Sequence, residues 1–314
     1  MDNPGNIEME KKPKKMLGIL AVILAALVLV LFLSIYPKGL DSFKKYFLGA
    51  INSTVTVSVS NYVPTITSQY LNTGGAITLT EGGTKTVHVT ATITDYNGCE
   101  DLDHATVAVY KIGTTCASAV NGDNDNCYFA TVPITCSASN SYSLDKTFDI
   151  YYYADNSADW QATIIPSDKT PADGIPYDTA SVAINPLQAL SVTALDYGTL
   201  SPGAKSTGDT HTTSVTNTGN TTIDFYLSGT DLTGGLGTIG SIPVANQKYG
   251  LASFEFDTGG TALTSDVPGN AAGANIAKAT QPPGAGTPVY WQISVPNGVK
   301  GALSGTTTFT VKAP

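Results

Sequence analysis

The chain has 314 residues, a formal net charge of −9 and no arginine. From residue 51 onward nine lysines face 21 aspartates and glutamates. Nucleic acid is therefore not an expected partner, since phosphate contacts need clustered cations. An acidic body suits solubility and divalent cations instead.

Residues 1–15 read as a short cytoplasmic tail, with Lys11, Lys12, Lys14 and Lys15 set against Glu8 and Glu10. Residues 16–36, MLGILAVILAALVLVLFLSIY, carry no charge, and only Gly18 and Ser34 break the apolar run. At 1.5 Å per residue such a helix is about 31 Å long, enough to cross a bilayer core. A cleaved signal peptide has a shorter apolar region and an A-x-A-like site. Ile35-Tyr36-Pro37-Lys38-Gly39 offers no such site. The expectation is a single-pass transmembrane helix, with membrane lipid as its partner. Lysines near the two ends differ little in number, because Lys38, Lys44 and Lys45 follow the run. The acidity of the long remainder, its four cysteines and its lack of helical pattern place it outside the cell.

Residues 37–52 are expected to form an amphipathic stalk helix. Leu40, Phe43, Phe47 and Ile51 recur at spacings of three and four and so share one face. That face suits lipid headgroups or neighbouring subunits.

Beyond the stalk the apolar period changes to two. Val55, Val57 and Val59 alternate with Thr and Ser; Val87, Val89, Ala91 and Ile93 alternate with polar residues. Val107 and Val109, then Phe148, Ile150 and Tyr152, then Trp160, Ala162 and Ile164 repeat the pattern. Each run offers one face to a core and one to water. Turn signals fall between them at Glu81-Gly82-Gly83, Asn97-Gly98 and Pro166-Ser167-Asp168. The expected fold is mostly β: two antiparallel sandwiches, residues 53–186 and 187–314, joined by a short link at Asn185-Pro186. In the second, Leu190 and Val192, Ile223 to Leu227, Phe254 and Phe256, Val289 to Val295 and Phe309 to Ala313 read as strands. Residues 267–288, rich in Gly, Ala and Pro, read as a long surface loop.

Cys99, Cys116, Cys127 and Cys136 sit in one short window, which in an exported chain reads as two disulfides. Three pairings are open. Cys116–Cys127 is favoured because the two flank the polar loop at residues 121–126, and Cys99–Cys136 then encloses them. Zinc is disfavoured, because no C-x-x-C occurs.

Several stretches carry a family resemblance. NGCEDLD (97–103), VYKIGTTC (109–116), NCYFAT (126–131), TFDIYYYAD (147–155) and WQATI (160–164) resemble N-terminally anchored surface proteins of small uncultured candidate-phyla bacteria. LDYGTLSPG (195–203), VTNTGNTTIDFYLSGTDL (215–232) and VYWQISVPNGVKGALSGTTTFT (289–310) are similar to their second module. The resemblance implies an immunoglobulin-like double sandwich at the cell surface. It brings no catalytic residues.

Asp95, Asn97, Asp101 and Asp103 cluster oxygen ligands around a glycine turn, and calcium takes six to eight oxygens. The EF-hand spacing is absent; the segment reads first as a solvated turn with Asx hydrogen bonds, with a calcium that stiffens an inter-strand loop as the alternative. Asp155 and Asp159 form a weaker cluster. No G-x-S-x-G, H-E-x-x-H or P-loop occurs, and no enzyme is expected. His88 reads as a solvated strand residue, and His104 follows Asp103 at a strand start. Tyr152 is expected to point inward, with Tyr151 and Tyr153 outward, where they can stack on a surface glycan or protein partner. Trp160 and Trp291 read as core. Asn52-Ser53-Thr54 and Asn220-Thr221-Thr222 match the N-glycosylation pattern. The function expected is a membrane-anchored surface protein that adheres, recognises or spaces. A pilin-like subunit whose helix packs in a filament core, with self-association, is the first alternative. A carbohydrate-binding module or glycan-active enzyme is the second.

Overall fold

The structure is a computed structural model that describes residues 14–35, 55–116, 125–136, 139–169 and 174–314. The stalk expected over 37–52, the glycosylation pattern at Asn52 and most of the 121–126 loop lie outside these residues.

Residues Met1–Ser60 and Asn61–Pro314 form separate units. In the first, helix α1 spans Lys14–Ile35. Its described side chains include Val22, Ile23, Leu24, Leu27, Val28, Leu29, Val30 and Leu31, all exposed. Among the described residues no helix is long and apolar enough to cross a membrane, so membrane insertion of residues 16–36 rests on the sequence.

The second unit is built from strands. Its first half comprises β1 (Thr65–Leu71), β2 (Thr84–Thr94), β3 (Leu102–Lys111), β4 (Cys127–Pro133), β5 (Ser141–Tyr151), β6 (Ser157–Asp168), β7 (Tyr177–Asp178) and β8 (Val182–Ile184). One antiparallel sheet runs β1-β2-β5; the other runs β4-β3-β6-β7, with β8 also on β6. β2 and β5 pair without a break from Thr84↔Tyr151 to Thr94↔Ser141. Because side chains alternate, this register sends Val87, Val89, Ala91 and Ile93 inward together with Leu144, Phe148 and Ile150. Val107, Val109, Trp160, Ala162 and Ile164 face them from the other sheet in a single core. Trp160 is fully buried, and its indole N–H donates to the Asp155 carbonyl at 2.9 Å.

The second half comprises β9 (Leu190–Val192), β10 (Thr212–Asn217), β11 (Asp224–Gly229), β12 (Gln247–Gly250), β13 (Thr261–Ala262), β14 (Asn270–Ala271), β15 (Gly286–Ile293) and β16 (Thr307–Lys312). Its sheets run β13-β12-β15-β10-β9 and β14-β11-β16. Val215, Phe225, Leu227, Tyr249, Val289 and Trp291 form its core. The fold is thus mostly β, a sandwich-like arrangement of antiparallel sheets.

The halves meet through specific contacts. Asn220 is buried; its Oδ1 accepts from Leu187 N at 2.6 Å, and its Nδ2 donates to the Asn185 carbonyl at 3.1 Å. Its amide is therefore closed to a glycan, contrary to the sequence pattern. Lys278 of the second half reaches Asp155 Oδ1 at 2.8 Å, Asp125 Oδ2 at 3.4 Å and the Tyr153 carbonyl at 3.0 Å. Lys111 takes the other Asp155 oxygen at 2.9 Å. Burial alone would raise the Asp155 pKa, but the two ammonium groups outweigh it and hold the carboxyl below its ordinary range.

Four expectations are corrected. Tyr153 points inward, 1% exposed, because β5 stops at Tyr151 and the chain turns. Its ring packs edge-on to Tyr152 and stacks on Tyr151, and Ala279 joins the same cluster. Phe254 and Phe256 lie in a loop after β12, where Phe256 sits beneath the Lys248 ammonium at 4.7 Å. Residues 267–288 are more than a surface loop. They contain β14, and Ile276, which bridges to Ile223, is buried. Val55, Val57 and Val59 reach no core: residues 55–63 lie outside any strand, and these valines are 80–86% exposed.

Candidate metal centre

The disulfides Cys99–Cys136 and Cys116–Cys127 have Cα separations of 6.0 and 5.5 Å, within the normal range. These are the pairs favoured by the polar loop between Cys116 and Cys127. Cys99–Cys136 ties down a short turn, Cys99–Asp101, that leads out of β2 and into β3. Gly98 opens that turn at φ 104°, a conformation L side chains resist.

This turn carries Asp101 close to two other carboxylates. Asp95 follows the end of β2; Asp168 closes β6, in the opposite sheet. One carboxylate oxygen from each of Asp95, Asp101 and Asp168 lies within 4.8 Å of the others. Asp95 is 0% and Asp168 6% exposed, while Asp101 is half-buried.

Each buried carboxylate has one oxygen occupied and one free. Asp95 Oδ1 accepts from Asn97 N at 2.7 Å, and Asp168 Oδ2 accepts from Asn61 Nδ2 at 2.9 Å. Among the described residues, Asp95 Oδ2 and Asp168 Oδ1 are buried with no hydrogen-bond partner. A buried unpaired polar atom costs about 1–3 kcal/mol, and more when charged. Burial therefore pushes the Asp168 carboxyl up, to about 6; Asn61 opposes this, and the neighbouring Asp95 and Asp101 carboxylates add to it. Such a cluster needs a shared proton or a cation. All its donors are oxygens, as calcium prefers; zinc would call for nitrogen or sulfur.

The set differs from the one expected. Asp95 and Asp101 are brought together, but Asn97 Oδ1 accepts from Tyr62 N at 2.6 Å, and Asp103 pairs with His104 Nδ1 at 2.8 Å. Those two side chains are used elsewhere. Asp168, in the sequence only part of a turn signal, is the residue sequence reasoning missed. It lies far along the chain from Asp95, and only the pairing of Leu102 with Asp168 between β3 and β6 carries it to the cluster. Asp155, expected in a weaker oxygen cluster, is instead the acceptor for Lys111 and Lys278. His88 is exposed beside Asp145, its Nδ1 at 2.8 Å from Oδ1. Trp160 and Trp291 are both fully buried.

No protein-family model matches this chain, and no curated protein matches it.

Proposed function

We propose that the chain is a membrane-anchored cell-surface protein. Its immunoglobulin-like sandwiches adhere, recognise or space, and its first half is braced by calcium rather than equipped for catalysis. The observation that carries the calcium reading is the pair of buried oxygens on Asp95 and Asp168 that have no partner among the described residues, in carboxylates gathered with that of Asp101. A cation there joins the end of β2 to the end of β6, and so one sheet to the other. It also holds Asp168 while Asn61 binds its second oxygen, which fixes the first residues of the unit. The anchoring reading draws on the uncharged run at 16–36 and on the exposed aliphatic side chains of α1. A helix apolar on all sides needs an apolar surrounding. Two disulfides and an acidic β-body are what an oxidising exterior favours.

The calcium reading is tested by thermal unfolding of the full chain at pH 7.5, where Asp168 ionises. Calcium at 100 times its Kd should add about 2.7 kcal/mol. For a unit of this size that is a midpoint rise of several degrees, reversed by chelator. Asp168→Asn should abolish the rise while making the metal-free protein as stable as wild type or more so, since it removes a buried negative charge that lies beside those of Asp95 and Asp101. A wild-type midpoint indifferent to calcium and chelator would end the reading.

The pilin-like alternative draws on a separate observation, the exposed valines of residues 55–59.

A further inference from the structure

In the second half a cavity of about 1180 Å³ opens between the two sheets. It is lined in part by the strand at the end of each sheet, β9 of the five-stranded one and β16 of the three-stranded one. Among the described residues β9 pairs with β10 alone and β16 with β11 alone. Each therefore keeps one unpaired backbone edge, which is where an added strand can join a sheet. Val192 and Phe309 enter the lining from these two strands, together with Leu195, Leu200, Val299 and Leu303. All but Val299 are only half-buried. The Tyr197 hydroxyl, also in the wall, is buried without a partner. The second sandwich is therefore open along one side, with core-type side chains reaching water.

The same chain contains a strand without a sheet. Residues 55–60, VTVSVS, lie outside every strand among the described residues. Val55, Val57 and Val59 are 86%, 82% and 80% exposed. Alternation with Thr56, Ser58 and Ser60 puts the valines on one face, about 6.8 Å apart. β-branched residues in this order favour a pleated, half-buried setting. No charge falls between Val55 and Val63, so nothing in the segment resists entry into an apolar space.

We propose that residues 55–60 of one copy enter the cavity of a second copy as an added strand, while Asn61 and Tyr62 stay bound to Asp168 and Asn97 of their own copy. The valines turn inward against Leu195, Leu303 and Phe309, and the backbone pairs with an edge strand. The contact uses different surfaces on the two partners, so it is heterologous and extends head to tail. It stands or falls separately from calcium binding and from retention of the helix.

The test uses the full chain in detergent, with oligomer size followed by sedimentation across a concentration series. Wild type should form a ladder of oligomers. Val57→Asp should weaken association at least tenfold with an unchanged melting curve, since Val57 is exposed. Leu303→Asp should do the same from the cavity side; if it unfolds, Leu200→Asp replaces it. An equimolar mixture of the strand variant and the cavity variant should stop at the dimer, because it offers one working strand and one working cavity. A synthetic peptide of residues 54–63 should dissolve the wild-type ladder. Wild type that stays monomeric at every concentration overturns the proposal. So does Val57→Asp assembling like wild type, which would assign association to the helix.

Discussion

Asp168 sits at the last position of β6, and its neighbours decide what it can do. Asn61 holds one oxygen, the other has no partner among the described residues, and the carboxylate lies beside those of Asp95 and Asp101. Asn61→Ala should lower calcium affinity modestly, because it frees the carboxylate to rotate, whereas Asp95→Asn should abolish binding; isothermal titration of both variants checks the ranking. Gly98 is a second residue whose identity matters, since φ 104° excludes most side chains at small cost only to glycine. Gly98→Ala should destabilise by about 1–2 kcal/mol in urea unfolding and weaken calcium binding, because the turn that presents Asp101 must shift. At this scale the sequence was half informative. Asp95 and Asp101 sit around a visible Asn-Gly turn, and density of carboxylates marked them. Asp168 carries no local mark, because its role comes from strand pairing across more than sixty residues.

Among the elements, the strands were the most legible part. Val87 to Ile93 and Trp160 to Ile164 alternate in the sequence and alternate in the structure, because a sheet buried on one face imposes period two. Legibility failed where alternation continued without a sheet. Val55 to Val59 have the pattern but no partner strand, and Tyr153 keeps the pattern after β5 has ended. Composition misled at residues 267–288, whose Gly, Ala and Pro content hid β14 and the buried Ile276. The same segment supplies Lys278, which no local signal marks. Lys278→Met leaves Asp155 paired with Lys111 alone. The cost should be about 1–3 kcal/mol, less than for full burial because the groups remain partly wet. We expect urea unfolding, a single transition in wild type, to broaden or split in this variant as the two halves lose their clasp.

For the molecule as a whole, acid sensitivity follows from its ion pairs. Asp155 and Asp224 both have carboxyls held below the ordinary range. For Asp224 burial acts upward, and the N–H groups of Ala274, Phe225 and Gly273 together with Lys312 outweigh it. A depressed folded-state pKa means stability that is present above the unfolded value, near 3.9, and lost as pH falls through the folded one. In the metal-free protein stability should therefore rise as pH falls from neutral through about 6, where the folded state protonates Asp168 before the unfolded chain does, and drop below about 4, more steeply in wild type than in Asp224→Asn, as read from unfolding midpoints across pH. The most direct test of the whole reading is made on native cells, by external protease treatment followed by mass analysis of the membrane fraction. We expect the protein in the membrane pellet, released only by detergent and oxidised at all four cysteines. Protease should shave its β-body away and leave a fragment that retains residues 16–36. Full-length protein in the soluble cytosol, untouched by protease and with reduced cysteines, would contradict it.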